Sequence, residues 1–97
     1  MSNDGNMGEA ITRELEILNQ YGIHARPAAL FVKTASRFDS EITVERGGNK
    51  VSGKSIMGLM TLEASKGTTL TVTVEGEDAE EAIAELEELV AGKFDEE

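Results

Sequence analysis

The only histidine in the chain, His24, stands in the run Gly22-Ile23-His24-Ala25-Arg26-Pro27-Ala28-Ala29. Proline is tolerated in the first turn of a helix, so His24 falls just ahead of the helix that Pro27 begins. Free backbone N–H groups and the positive end of the helix dipole point at such a position, where they favour an anion carried on the imidazole. A helix N-terminus contributes ~0.3–1 kcal/mol to such an anion. Arg26 adds a second positive group, able to grip phosphate oxygens in a forked geometry. A neutral, exposed imidazole so placed is competent to accept a phosphoryl group. Spacing alone leaves the other reading open, an ordinary surface histidine at a helix start.

A second run competes for the function. Gly48-Asn49-Lys50-Val51-Ser52-Gly53-Lys54-Ser55 satisfies G-x-x-x-x-G-K-S/T, the phosphate-loop pattern of nucleotide-binding proteins. Its physics needs a buried parallel strand before it, a long helix after it and a later strand ending in a Mg²⁺-binding Asp. Here Ser40 to Glu45 alternates polar and apolar residues, the mark of a one-sided antiparallel strand. The helix expected at Ser55 holds Gly58 and ends near Leu62, and too few residues follow for a multi-stranded parallel sheet. The match reads as a coincidence of a hairpin.

The elements that must position these residues are legible in the periodicity. Ile11, Arg13, Leu15 and Ile17 alternate with Thr12, Glu14, Glu16 and Leu18, a half-buried strand broken by Asn19-Gln20-Tyr21-Gly22. Ala25 to Phe38 has helical spacing, with apolar residues at 28, 31, 32, 35 and 38. Ile42 and Val44, then Gly47-Gly48-Asn49, then Val51 read as two strands around a hairpin turn. Ser55 to Leu62 is a short helix starting at Ser55, and Leu70, Val72 and Val74 alternate with threonines as a further strand. Asp78 and Glu81 form an Asp-x-x-Glu capping box ahead of the stripe Ala79, Ala82, Ile83, Leu86, Leu89 and Val90. The order β-α-β-β-α-β-α predicts an α+β domain with helices on one side of an antiparallel sheet.

Composition narrows the function classes. The chain has 97 residues, enough for one domain, and 39% hydrophobic residues, enough for a modest core. It has no cysteine, which removes disulfides, iron–sulfur clusters and the usual Cys/His zinc sites; no metal or cofactor is expected. The net charge of −10 argues against nucleic acid and anionic membrane. That charge is uneven, because Gly76 to Glu97 carries ten acidic residues against Lys93 alone. Around His24 the balance is positive, with Arg26, Lys33 and Arg37 against Asp39. No apolar run approaches the ~20 residues of a membrane span and no basic-then-apolar signal opens the chain, so a cytoplasmic location is expected. Residues 1–9 read as a flexible leader, with Met7 an alternative start, Ala10 to Gly92 as the domain, and residues 93–97 as an acidic tail.

Three blocks, G-I-H-A-R-P-A-A from Gly22, K-S-I-M-G-L-M from Lys54 and A-S-K-G from Ala64, closely resemble the HPr family. These are the histidine-containing phosphocarriers of the bacterial sugar phosphotransferase system. The similarity runs from about Ile11 to Val90 in one register. It implies an open-faced β-sandwich, a four-stranded antiparallel sheet covered on one face by three helices. It implies that His24 accepts a phosphoryl group on Nδ1 from phospho-enzyme I, assisted by Arg26, and passes it to enzyme IIA domains. Such a protein is a carrier with a phosphohistidine intermediate, not a stand-alone enzyme, and a monomer is expected.

By the same resemblance Ser55 matches the regulatory serine phosphorylated by HPr kinase/phosphorylase, and it is at once an expected helix N-cap. Ile56, Met57 and Met60 match the family's apolar docking patch, with Ala29 and Leu30 beside them, and Leu59 and Leu62 fall to the core by helical spacing. Methionine suits a surface that must fit several partners, among them a transcriptional regulator. The ending Gly92-Lys93-Phe94-Asp95-Glu96-Glu97 resembles the nitrogen-related paralogue NPr more than the sugar type. Two alternatives therefore stand, an NPr-type carrier or a regulator acting mainly through Ser55.

Overall fold

The computed structural model describes residues 9–96 of the chain. The leader expected over residues 1–9 lies outside them, except that Glu9 opens the first strand. Four strands, β1 (Glu9–Glu16), β2 (Glu41–Arg46), β3 (Asn49–Ser52) and β4 (Thr69–Gly76), form one antiparallel sheet in the order β1-β4-β2-β3. Three helices, α1 (Ala25–Ala35), α2 (Ile56–Thr61) and α3 (Ala79–Ala91), complete the β-α-β-β-α-β-α order. This is the α+β arrangement that the order of elements predicts, and the open-faced sandwich that the family resemblance implies.

The register explains why one face is dry. In β4, Leu70, Val72 and Val74 are buried while the threonines between them are not. Val74 lies opposite Ile11 on one side and Ile42 on the other, and Leu70 lies opposite Leu15. The apolar residues of three strands thus line a single face, since a strand sends alternate side chains to opposite sides. Phe31 and Ala35 of α1, Leu59 of α2, and Ala82 and Leu86 of α3 cover that face and are fully or almost fully buried. At the hairpin, Arg46 pairs with Asn49 across a two-residue turn whose glycines, Gly47 and Gly48, have φ of 56° and 88°. Two consecutive positive φ values match the twist of a tight hairpin and favour glycine there.

Two expectations are corrected. The helical spacing reaches Phe38, yet α1 ends at Ala35. Beyond it the chain tightens, with Arg37 N–H on Thr34 O and Phe38 N–H on Ala35 O, so Phe38 meets the core from a turn. The capping box at Asp78 does not form either. Asp78 precedes α3, but its carboxylate makes no bond to that helix. It accepts instead from Asp39 N–H at 2.8 Å, Ser40 N–H at 3.0 Å and the Ser40 hydroxyl, joining the α1–β2 turn to the head of α3. Those donors, the Ser40 hydroxyl foremost, hold its carboxyl below the usual carboxylate range.

The boundary drawn at Gly92 is not the end of packed structure. After α3 a single turn, Lys93–Asp95, places Phe94 in the core with no exposed surface.

Candidate functional site

His24 is the N-cap residue of α1, with extended backbone (φ −98°, ψ −168°) and a carbonyl that accepts from Ala28 N–H at 3.0 Å. Its side chain makes no capping bond. Ala25 and Arg26 N–H, in the first turn, have no intrahelical acceptor, and Pro27 has no N–H to offer. The loop before it is held against the segment leading to β4, with Ile23 N–H on Ala64 O at 2.8 Å. Gly22, at φ 69°, has its α-carbon so close to the Ala64 carbonyl that any Cβ would collide with it. The glycine is therefore needed both for its φ and for the contact.

The imidazole is partly exposed, at 44% of its side-chain surface. Its Nε2 lies 3.0 Å from Glu96 Oε2, and Nδ1 makes no hydrogen bond among the described residues. Asn19, fully buried, donates from Nδ2 to Gly22 O at 2.8 Å and to the same Glu96 oxygen at 3.2 Å. Arg26 donates from Nη1 to the Phe94 carbonyl at 3.2 Å. The exposed Tyr21 ring stands edge-on to His24 with centroids 6.4 Å apart. The structure thus brings His24 and Arg26 together at the C-terminal turn. Asn19, Phe94 and Glu96 join them there, three residues that sequence reasoning left out of the site.

Ser55 is the N-cap of α2 and its Oγ accepts from Gly58 N–H at 2.9 Å. A Cβ on Gly58 would press on Ser55 Oγ and Val51 Cβ, both at 3.1 Å, so the glycine that weakens the helix makes room for the cap. On α2, Met57 is 78% exposed and Ile56 and Met60 are also open, whereas Leu59 and Leu62 are buried. On α1, Ala29 is exposed and Leu30 is half-buried against the core. The nucleotide-loop pattern dissolves in the fold. Gly48 lies in the hairpin turn, Asn49–Ser52 pair with β2, and the helix that follows is six residues long. Among the described residues no group of His, Cys, Asp and Glu is arranged to hold a metal ion, and no helix is long and apolar enough to cross a membrane.

Residues 11–92 match the family described as PTS HPr component phosphorylation site. The phosphocarrier protein HPr of Treponema pallidum is 46% identical over 87 residues, which span 90% of this chain and 99% of that protein. The crystal structure of HPr-C-His from Thermoanaerobacter tengcongensis superposes with a TM-score of 0.86 at 52% identity, covering 90% of this chain and 98% of that one. The Bacillus subtilis catabolite repression protein Crh, described as a domain-swapped dimer, is 46% identical with a TM-score of 0.70, covering 84% and 93%. Dimers thus occur among the similar structures.

Proposed function

Since this chain belongs to the HPr family of phosphotransferase-system phosphocarriers, we propose that it is a cytoplasmic carrier that takes a phosphoryl group on His24 Nδ1 from phospho-enzyme I and hands it to enzyme IIA domains. The observation that carries the reading is an exposed imidazole at the head of α1 whose Nδ1 has no partner among the described residues. In acceptance the Nδ1 lone pair forms the N–P bond as the bond from phosphorus to the donor breaks. The first-turn N–H groups, the helix dipole and Arg26 face the negative charge that arrives. The carrier is proposed to act as a monomer.

Docking is assigned to Ile56, Met57 and Met60 of α2, with Ala29 and Leu30 of α1 beside them; the exposure of Met57 and the packing of α1 on α2 support this. Regulation is assigned to Ser55, where HPr kinase/phosphorylase would add roughly −1.5 to −2 charges at the head of α2. That charge opposes docking on acidic partner surfaces, and a transcriptional regulator is a natural reader of it. The test is intact mass after incubation with phosphoenolpyruvate and enzyme I. An acid-labile gain of one phosphoryl group that His24→Ala lacks supports the carrier; no gain beside a reacting control HPr moves the weight to Ser55. Running sugar-type and nitrogen-type enzyme I side by side separates the HPr and NPr readings.

A further inference from the structure

The C-terminal turn is built against conformational preference. Lys93, Phe94 and Asp95 all lie in the left-handed region, at φ of 59°, 54° and 62°, and none is glycine. Each is disfavoured there by the contact of its Cβ with the backbone. The surroundings hold the turn in place. Phe94 is fully buried, its carbonyl accepts from Arg26 Nη1, and Glu96 N–H closes on Lys93 O at 2.9 Å. The outcome is that Glu96, only 16% exposed along its side chain, is delivered to the far edge of the His24 ring. There Asn19, itself buried and tied to the His24 loop through Gly22 O, donates to the same carboxylate oxygen. Glu96 lies outside the stretch 11–92 that matches the family.

We propose that Glu96 is a positioning residue that keeps the proton of His24 on Nε2 and so leaves Nδ1 as the nucleophile. The proposal rests on the carrier reading. A carboxylate only accepts, so its partner nitrogen must be the donor, and in the neutral ring the other nitrogen then carries the lone pair. When Nδ1 bonds to phosphorus, the ring holds a phosphoryl group on one nitrogen and a proton on the other. The Glu96 carboxylate faces the positive charge this creates. In onward transfer the N–P bond breaks with its electron pair returning to Nδ1, and the ring leaves as neutral imidazole. Without the Nε2 proton it would have to leave as imidazolate, a far poorer leaving group. Asn19 holds the carboxylate in line, and the strained turn sets its reach.

The single histidine makes the test direct, because the full chain labelled with ¹⁵N-histidine shows one imidazole. Long-range ¹H–¹⁵N spectra above the ring's titration should show the Nε2–H form in the native chain. Glu96→Ala should move the ring towards a mixture of tautomers, with Glu96→Gln, whose amide oxygen still accepts, in between. Acceptance from phospho-enzyme I should fall roughly three- to tenfold in Glu96→Ala, the size of one partly exposed charge-assisted hydrogen bond. An unchanged tautomer in a folded Glu96→Ala overturns the proposal; should that variant not fold, an Nδ1–H ring in the native chain overturns it equally. A tautomer shift in a chain that never accepts a phosphoryl group overturns the carrier reading, and with it the nucleophile-positioning role, and leaves Glu96 only as the group that sets the tautomer.

Discussion

His24 and Ser55 occupy the same structural position on two helices that pack together, and they use it in opposite ways. Ser55 spends its hydroxyl on the helix, accepting from Gly58 N–H, and so satisfies one of the donors at the start of α2. His24 gives its helix nothing from its side chain, and α1 begins without a side-chain cap. The first-turn amides of α1 are left without a bond from the cap side chain. A cap residue is therefore either a structural group or a chemical one, and what decides is whether its polar atom is already engaged. Phosphorylation at Ser55 would fall on an atom that caps the helix, whereas a phosphoryl group on His24 Nδ1 would displace no bond seen among the described residues.

The largest expected effect breaks the comparison outright if it fails. His24→Ala should abolish phosphoryl acceptance, read by mass, while unfolding free energy by denaturant changes by less than about 1 kcal/mol, as for a partly exposed side chain outside the core. Next comes Ser55→Asp, which keeps a capping oxygen but adds a negative charge. Its acceptance rate at His24, measured by quenched flow, should fall roughly fivefold, the worth of ~1 kcal/mol between charges at a protein surface. Ser55→Ala sharpens the contrast from the other side: about 1 kcal/mol of stability lost in chemical denaturation, with acceptance unchanged. The smallest effect concerns a third cap position. The carboxyl of Asp78 is held below its usual range, chiefly by the Ser40 hydroxyl and then Asp39 N–H, so its contribution to stability is present above the unfolded value and disappears as pH falls through the folded one. The stability gap between the native chain and Asp78→Asn should narrow in acid, and a gap independent of pH would remove Asp78 from that role.

Much of the fold was legible because its signals are local. The threonine alternation in β4 and the paired glycines of the hairpin are periodic or conformational marks that tertiary contacts reinforce. His24 was legible as a helix start through Pro27, and Met57 as exposed through the spacing of α2. What sequence reasoning could not see depends on distant partners. Asp78 carries the spacing of a capping box, yet donors from the α1–β2 turn draw its carboxylate away. Phe94 sits among acidic residues after a glycine and reads as part of a solvated tail, because nothing local encodes a left-handed turn of three non-glycine residues. Glu96 and Asn19 are ordinary polar residues until the fold brings both ends of the domain to one imidazole.

The sheet order also has a consequence for the way the chain assembles. The β2–β3 hairpin closes over two residues and can form as soon as Ser52 exists. In contrast β1 lies at the edge of the sheet and pairs with β4 alone among the described residues, so Glu9 must wait for Gly76. A ribosome making this protein therefore extrudes a strand that stays unpaired until most of the domain has followed. Closing so long a loop is slow in entropic terms, and it makes the docking of β1 the step at which newly made chains are most open to pairing with one another.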